Sequence, residues 1–213
     1  GFVVHTSSTT STPKLSRCLQ PSPCHGHGTF AQGAVMEFRA HKPSDAPVIE
    51  SLFTTVFTES EGASEGALVG TLAGELMAGT DSRDLYGFVA VDGGRIIGAI
   101  FFSRLTFEKT ADVFILAPVA VRSDQQNKGV GQALISHGLK KLKQQGVRIV
   151  TTYGDPGFYS RVGFQPLLQE TIAAPLALSQ PQGWLGQSLT DDPVEPIPGR
   201  CSCVKALDNP AYW

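Results

Sequence analysis

The sequence predicts an α/β (α+β) fold in which one mixed sheet organises a single domain. Three observations carry this. Apolar runs with a strand's two-residue alternation interleave along the chain with segments of helical period. Two strand-like runs, "LYGFVAVD" and "RIIGAIFFSRL", meet at "DGG" in the manner of a tight hairpin. A third, "DVFILAPVAV", leads through the polar, glycine-bearing stretch "SDQQNKGVG" into an amphipathic helical pattern.

Taken in order, "EFRAH" after Met36 is the first strand. "SDAPVIESLFTTVF" is a helix with Ser44 as N-cap and Pro47 early, and Val48, Ile49, Leu52, Phe53 and Val56 form its apolar stripe. A second helix covers "EGALVGTLAGELMAG", where Leu68, Leu72 and Leu76 recur every fourth residue. The hairpin strands follow, and then "DVFILAPVAV", apolar enough for burial on both faces. In "VGQALISHGLKKLKQQ", Val130, Leu134, Ile135, Gly138, Leu139 and Leu142 line one side, and Gly146 stops the helix. "RIVTTYG" is a strand. "DPGFYSRVGF" is a short helix capped by Asp155, with Pro156 first and Gly163 as its stop. The tail alternates "LLQETIAAPLAL" with a Pro/Gly-rich loop and a last strand near "CSCVKAL".

The 213 residues, 41% of them hydrophobic, suffice for one core. A net charge of -2 excludes the basic field of a dedicated nucleic-acid binder. No apolar stretch reaches the roughly 18 to 20 residues that cross a bilayer, and "GFVV" followed by "HTSSTTSTPK" lacks a signal peptide's hydrophobic middle. A cytoplasmic protein without membrane contact is expected. Residues 1–35, rich in Ser, Thr, Pro and Gly, form a low-complexity extension, leader or arm, and residues 36–213 the folded domain. Cys18 and Cys24 stand near His25 and His27, but their spacing matches no common zinc module, so no metal is expected. Cys201 and Cys203 alternate, which puts both on one side of a strand as a small buried pair.

"SDQQNKGVG" poses the functional question. A helix beginning near Gly129 leaves its leading N–H groups unpaired at the positive end of the macrodipole, and Gly129 and Gly131 clear side chains from their path. Lys128 and Arg122 add positive charge nearby. A pyrophosphate suits this arrangement. G-x-x-x-x-G-K-[ST] is absent, and Leu134 replaces the third small residue of G-x-G-x-x-G, which argues against an unrelated nucleotide-binding module. Pro118, which cannot donate to a ladder, marks either an edge or bulge or a place where the sheet opens. Opening leaves backbone groups of Val119 and Val121 for an extended, amide-containing ligand.

"LAPVAVRSDQQNKGVGQALI" resembles the acyl-CoA-binding segment of the GNAT superfamily of N-acetyltransferases, and "YGDPGFYSRVGF" its following strand and short helix. Gln126, Gly129 and Gly131 meet the pattern Q/R-x-x-G-x-G/A. "GDP-x-x-Y" and the closing "LDNPAYW" resemble the YhbS-like branch. The resemblance covers about residues 36–213. It implies a mixed, strongly twisted sheet, splayed at its central strands and flanked by helices on both faces.

It further implies acetyl-CoA as acyl donor. Its pantetheine would pair along Val119, Ala120 and Val121. Its pyrophosphate would rest on amides of Gln126, Asn127, Lys128, Gly129, Val130, Gly131, Gln132 and Ala133. The acceptor would be an amine, on a small molecule or a protein, attacking directly through a tetrahedral intermediate with no acyl-enzyme. An N–H near Val119 would stabilise the oxyanion. Tyr159, four residues before Gly163, takes the place of the tyrosine that protonates the departing thiolate; as a residue alone it is equally a core aromatic. Asp155 replaces the family's frequent asparagine. No base is legible: the central positions are Ile115 and Ala117, with Asp112 and Glu108 further back. Acids crowd residues 43–84, and Glu61 and Glu65 in "ESEGASEG", read as a mobile loop, are the acceptor-side candidates. A non-catalytic acyl-CoA sensor or scaffold is the alternative, and a homodimer is open.

Overall fold

The computed structural model of the protein describes residues 36–213, so the expected extension over 1–35, with Cys18, Cys24, His25 and His27, lies outside the described residues. The elements are β1 (Glu37–Ala40), α1 (Ala46–Glu61), α2 (Ala63–Gly79), β2 (Leu85–Asp92), β3 (Arg95–Phe107), β4 (Val113–Val121) and α3 (Val130–Gln144). Then come β5 (Ile149–Tyr153), α4 (Pro156–Tyr159), β6 (Gln165–Pro166), β7 (Trp184–Ser188) and β8 (Cys201–Ser202). The sheet order is β1-β2-β3-β4-β5-β7-β6, with β8 on β3. Only β4 and β5 pair in parallel among these ladders, joined by α3 as crossover, so the sheet is mixed as expected.

Helices cover both faces. Phe53 of α1 and Leu72 of α2 pack with Phe101, Ile115 and Trp184 in one core. Leu134 of α3 and Phe158 of α4 pack with Phe102, Phe114 and Leu116 in the other. The six residues predicted for the apolar side of α3 are its buried residues. β4 is buried along its whole length, as its composition implies. The hairpin turn between β2 and β3 sets Gly93 and Gly94 at φ +54° and +78°, the positive values that two-residue primed turns require.

At Pro118 the strand carries one residue too many. Ile100 of β3 faces Val119, Phe102 faces Leu116, and Phe101 alone opposes Ala117 and Pro118. This bulge reverses the phase of the side chains. Val113, Ile115 and Ala117 point into the α1/α2 core, whereas Val119 and Val121 point into the α3 core.

Several expectations change. Ser44 does not cap α1. Residues Pro43–Asp45 already form a 3-10 turn, and Asp45 takes the N-cap position, its carboxylate accepting from Lys42 N at 2.8 Å and from Arg39 at 2.7 Å. Val48 leaves the apolar stripe and is 51% exposed, because the core-facing arc of α1 runs through Ile49, Leu52, Phe53, Val56 and Phe57. "ESEGASEG" is no loop: α1 ends at Glu61, α2 starts at Ala63, and Gly62 at φ +101° makes the whole turn. The two helices then pack through Gly66, Gly70 and Gly74 of α2. A Cβ on Gly66 would lie 1.9 Å from Thr58 Oγ1 and 2.6 Å from the Thr54 carbonyl, so only glycine permits this approach. In the tail, β8 is two residues long and residues 205–207 are a 3-10 turn. The sheet gains β7 from the segment read as loop. Cys201 is buried, and Cys203 packs partly against the same core.

Candidate active site

β4 and β5 stay paired only as far as Leu116 and Thr152. Beyond that rung β4 continues along β3 alone, so a gap opens on its other side. Arg122 N–H donates to the Ile97 carbonyl at 2.9 Å. Main-chain groups alternate in direction along an antiparallel ladder, so those of Ala120 also face β3, and those of Val119 and Val121 face the gap. Ala120, grouped with the two valines from sequence, has its backbone engaged elsewhere.

After β4, Ser123–Gln125 form a 3-10 turn. The Ser123 hydroxyl bonds the Glu59 carboxylate of α1, and Arg122 pairs with Asp124 at 3.0 Å. Asn127 and Gly129 then adopt φ +60° and +80°. Positive values alternating with ordinary ones gather neighbouring N–H groups into a concavity suited to an anion. Gly129 is the N-cap of α3. The amides of Val130, Gly131 and Gln132 lead the helix, with no carbonyl one turn behind them. Ala133 was expected to continue this row. Its N–H instead donates to the Gly129 carbonyl at 3.0 Å, the first bond of the helix, and is unavailable to a ligand. Gln126 Nε2 donates to the Val121 carbonyl at 3.0 Å and ties the loop to the strand it leaves.

The gap and the loop form one cavity, lined by Val119, Val121, Gln126, Asn127, Gly131 and Phe158, with Gly129, Val130 and Gln132 on the same wall. Lys128 and Arg122, the cations expected from sequence, are outside this lining. Lys128 Nζ is 3.4 Å from Gln125 Oε1. The cavity's cation is Arg161, on the 3-10 turn after α4. Sequence reasoning passed over it; the signal was its place two residues past Tyr159, on the segment facing the loop.

Tyr159 closes α4, 2% exposed, with the rings of Phe158 and Phe164 edge-on at 5.1 and 5.7 Å. Burial pushes its pKa up to about 12, only partly offset by the Thr152 side chain. Its ring is a core aromatic on the α3 side of the sheet. Asp155 caps α4, accepting from Gly157 N at 2.9 Å. It also borders a second cavity with Tyr153, Gln180 and Gln182, at the end of β5.

The acidic candidates fall elsewhere. Glu61 ends α1, and Glu65 lies in the first turn of α2 beside Tyr212, whose pKa is raised by burial and by Glu75 and Glu65. Neither lines the cavity between β4 and β5. Asp112 is held by Arg104 at 3.3 Å and stands four residues before Leu116, roughly 13 Å along the strand. Glu108 packs against Gly199. Ile115 and Ala117 are buried in the apolar core. Among the described residues no group of three or more His, Cys, Asp or Glu side chains could hold a metal, and no helix is long and apolar enough to cross a membrane.

Residues 83–166 match the family described as acetyltransferase (GNAT) domain. The chain is 32% identical over 135 residues to the uncharacterised N-acetyltransferase YjhQ of Escherichia coli K12, covering 61% of this chain and 74% of that one. The crystal structure of the N-acetyltransferase YhbS from Escherichia coli in complex with CoA superposes with a TM-score of 0.73 at 25% identity, covering 86% and 97% of the two chains. A GNAT family acetyltransferase from Brucella melitensis, in complex with acetyl-CoA, gives 0.65 at 25% identity over 82% and 99%.

Proposed function

Because this chain belongs to the GNAT family of acetyltransferases, we propose that it binds acetyl-CoA between β4 and β5 and transfers the acetyl group to a primary amine. One observation carries the reading. A strand edge whose main-chain groups at Val119 and Val121 face away from β3, with only the Val121 carbonyl taken by Gln126, and a helix start with leading amides open into the same cavity. The edge at Val119 and Val121 suits an amide-bearing chain added as a strand. The amides of Val130, Gly131 and Gln132, with Arg161, suit a diphosphate. Gly131 fits this role: a Cβ there would sit 3.4 Å from Phe158 Cζ and Val121 Cγ2, filling the floor of the cradle.

The bound thioester supplies an activated acyl group. The protein's residues do the rest. The Val119 N–H, facing the gap, is the donor for charge developing on the carbonyl oxygen, a contribution of roughly 3 kcal/mol. Tyr159 Oη holds the proton that the leaving sulfur requires, and its raised pKa keeps that proton in place at neutral pH. The cavity at the end of β5 is the acceptor's entry. Asp155 there favours a cationic amine, on a small molecule or a protein, and replaces Glu61 and Glu65 as the acidic contact.

Calorimetric titration with acetyl-CoA and with desulfo-CoA tests the binding. Affinity in the micromolar range supports the reading, and no heat at millimolar ligand removes it. A thiol-release screen over polyamines and lysine peptides then tests the transfer.

A further inference from the structure

Leu185 of β7 and Leu189 just past its end pack in the α3-side core, and Gln187 stands between them at strand spacing. Its cross-strand partner Val150 belongs to the same core, so the glutamine interrupts an apolar row. A half-buried amide there needs a partner. Gln187 Nε2 donates to the Val162 carbonyl at 3.1 Å, 25 residues away along the chain. Val162 ends the 3-10 turn Ser160–Val162, and Gly163 stops it at φ +95°. The closing carbonyls of a helical turn find no partner within it, so Gln187 acts as a cap supplied from the sheet. A Cβ on Gly163 would lie 3.0 Å from Gln187 Oε1, so the glycine serves both the positive φ and the approach of the amide.

The same turn carries Arg161, the cation lining the cavity between β4 and β5. On the reading of that cavity as a CoA site, we propose that Gln187 is a positioning residue, whose amide fixes the turn after α4 so that Arg161 faces the diphosphate cradle. The backbone bonds that close the turn are internal to its segment. Gly163 N donates to the Ser160 carbonyl and Phe164 N to the Tyr159 carbonyl, each at 3.2 Å. They give the turn its shape without setting where it sits against the sheet. Among the described residues, the Gln187 bond is the hydrogen bond that ties residues 160–163 to a strand. An arginine side chain loses rotamer freedom when it meets a ligand, and fixing its backbone origin beforehand lowers that cost.

The test uses the full chain with Gln187→Met, Arg161→Ala and the two combined. Methionine keeps the length and unbranched shape of glutamine without a donor, and it suits the apolar row, so the variant should fold. The first readout is amide hydrogen exchange of the free protein by NMR. The amides of Gly163 and Phe164 should exchange about fivefold faster in Gln187→Met and at an unchanged rate in Arg161→Ala. The second is calorimetric titration with CoA at low ionic strength. Gln187→Met should weaken binding about fivefold when Arg161 is present and by less than about twofold in the Arg161→Ala background. A glutamine that only stabilised the fold would weaken binding by the same factor in both.

Equal losses in the two backgrounds, no loss in either, or exchange at Gly163 and Phe164 unmoved by Gln187→Met overturns the role of Gln187 and leaves the CoA site standing. No heat from the unaltered protein at millimolar CoA overturns both.

Discussion

The side-chain amide of Gln126 donates to the carbonyl of Val121 at 3.0 Å, bracing the loop before α3 against the strand edge that faces the gap. Such a bond contributes about 1 kcal/mol. Gln126→Ala should therefore weaken CoA binding about fivefold by loosening the cradle, with little change in thermal midpoint. Calorimetry decides it. Tighter binding in the variant would mean that Gln126 covers a carbonyl the ligand needs.

Arg161 should account for much of the salt dependence of binding. Arg161→Ala is expected to lower CoA affinity about tenfold at low ionic strength and less at high salt, where a surface charge is screened. Lys128→Ala, outside the cavity lining, should have the smaller effect. Titrations of both variants at two salt concentrations check the order.

Tyr159→Phe should reduce turnover by about 10²-fold while CoA affinity stays within about twofold. The phenol's pKa is raised by burial from 10.0 to about 12, so the folded state keeps a proton that the unfolded chain releases first. Its contribution to stability is full below pH 10 and is lost as pH rises towards 12, at about 1.4 kcal/mol per pH unit. Burial also lifts the thiols of Cys201 and Cys203, to about 12 and about 11, so the alkaline decline begins near their ordinary value of 9.0. Denaturant titrations between pH 9 and 12 should show a shallower slope above pH 10 in Tyr159→Phe than in the unaltered protein.

The α1–α2 contact should resist even one methyl group. Gly66→Ala sets a Cβ against the Thr54 carbonyl and the Thr58 amide at 2.6 and 2.8 Å, main-chain atoms that cannot swing aside. A loss of about 3 kcal/mol is expected. Gly70→Ala meets chiefly Thr54 Oγ1, at 2.0 Å, and should cost less, since that side chain can rotate. Chemical denaturation ranks the two.

Thr151→Val should be neutral, or stabilising by up to about 1 kcal/mol, because it replaces an unpaired buried hydroxyl with a methyl of similar size. Thr152→Val, one residue along, strands the Leu116 carbonyl and should cost about 1 to 2 kcal/mol. Thermal unfolding of the pair separates them by sign.

Local chemistry made much of this legible. The buried side of α3, the cap at Asp155, the hairpin at Gly93–Gly94 and the break at Pro118 each follow from residues within a few positions of one another. What escaped depends on distant partners. Trp184–Ser188 is five residues, broken by Gly186, and becomes β7 because β5 pairs with it and the Trp184 indole donates to the Ile172 carbonyl. "ESEGASEG" shows three acids, two serines and two glycines, which resemble a loop; a glycine seam unseen from one segment holds it as two helices. Arg161 enters the site only because the turn after α4 folds over the cavity, and no local pattern marks that.

The supernumerary residue at Ala117–Pro118 has a consequence for how this architecture tolerates change. The crevice depends on a count of residues as much as on their kinds. Deleting one residue there would let Leu116, its successor and Val119 run opposite Phe102, Phe101 and Ile100 without a bulge, so Val119 and Val121 would keep the α3 side and the strand would lose its local bend. Substitutions at this point leave that bend in place; a one-residue deletion straightens it.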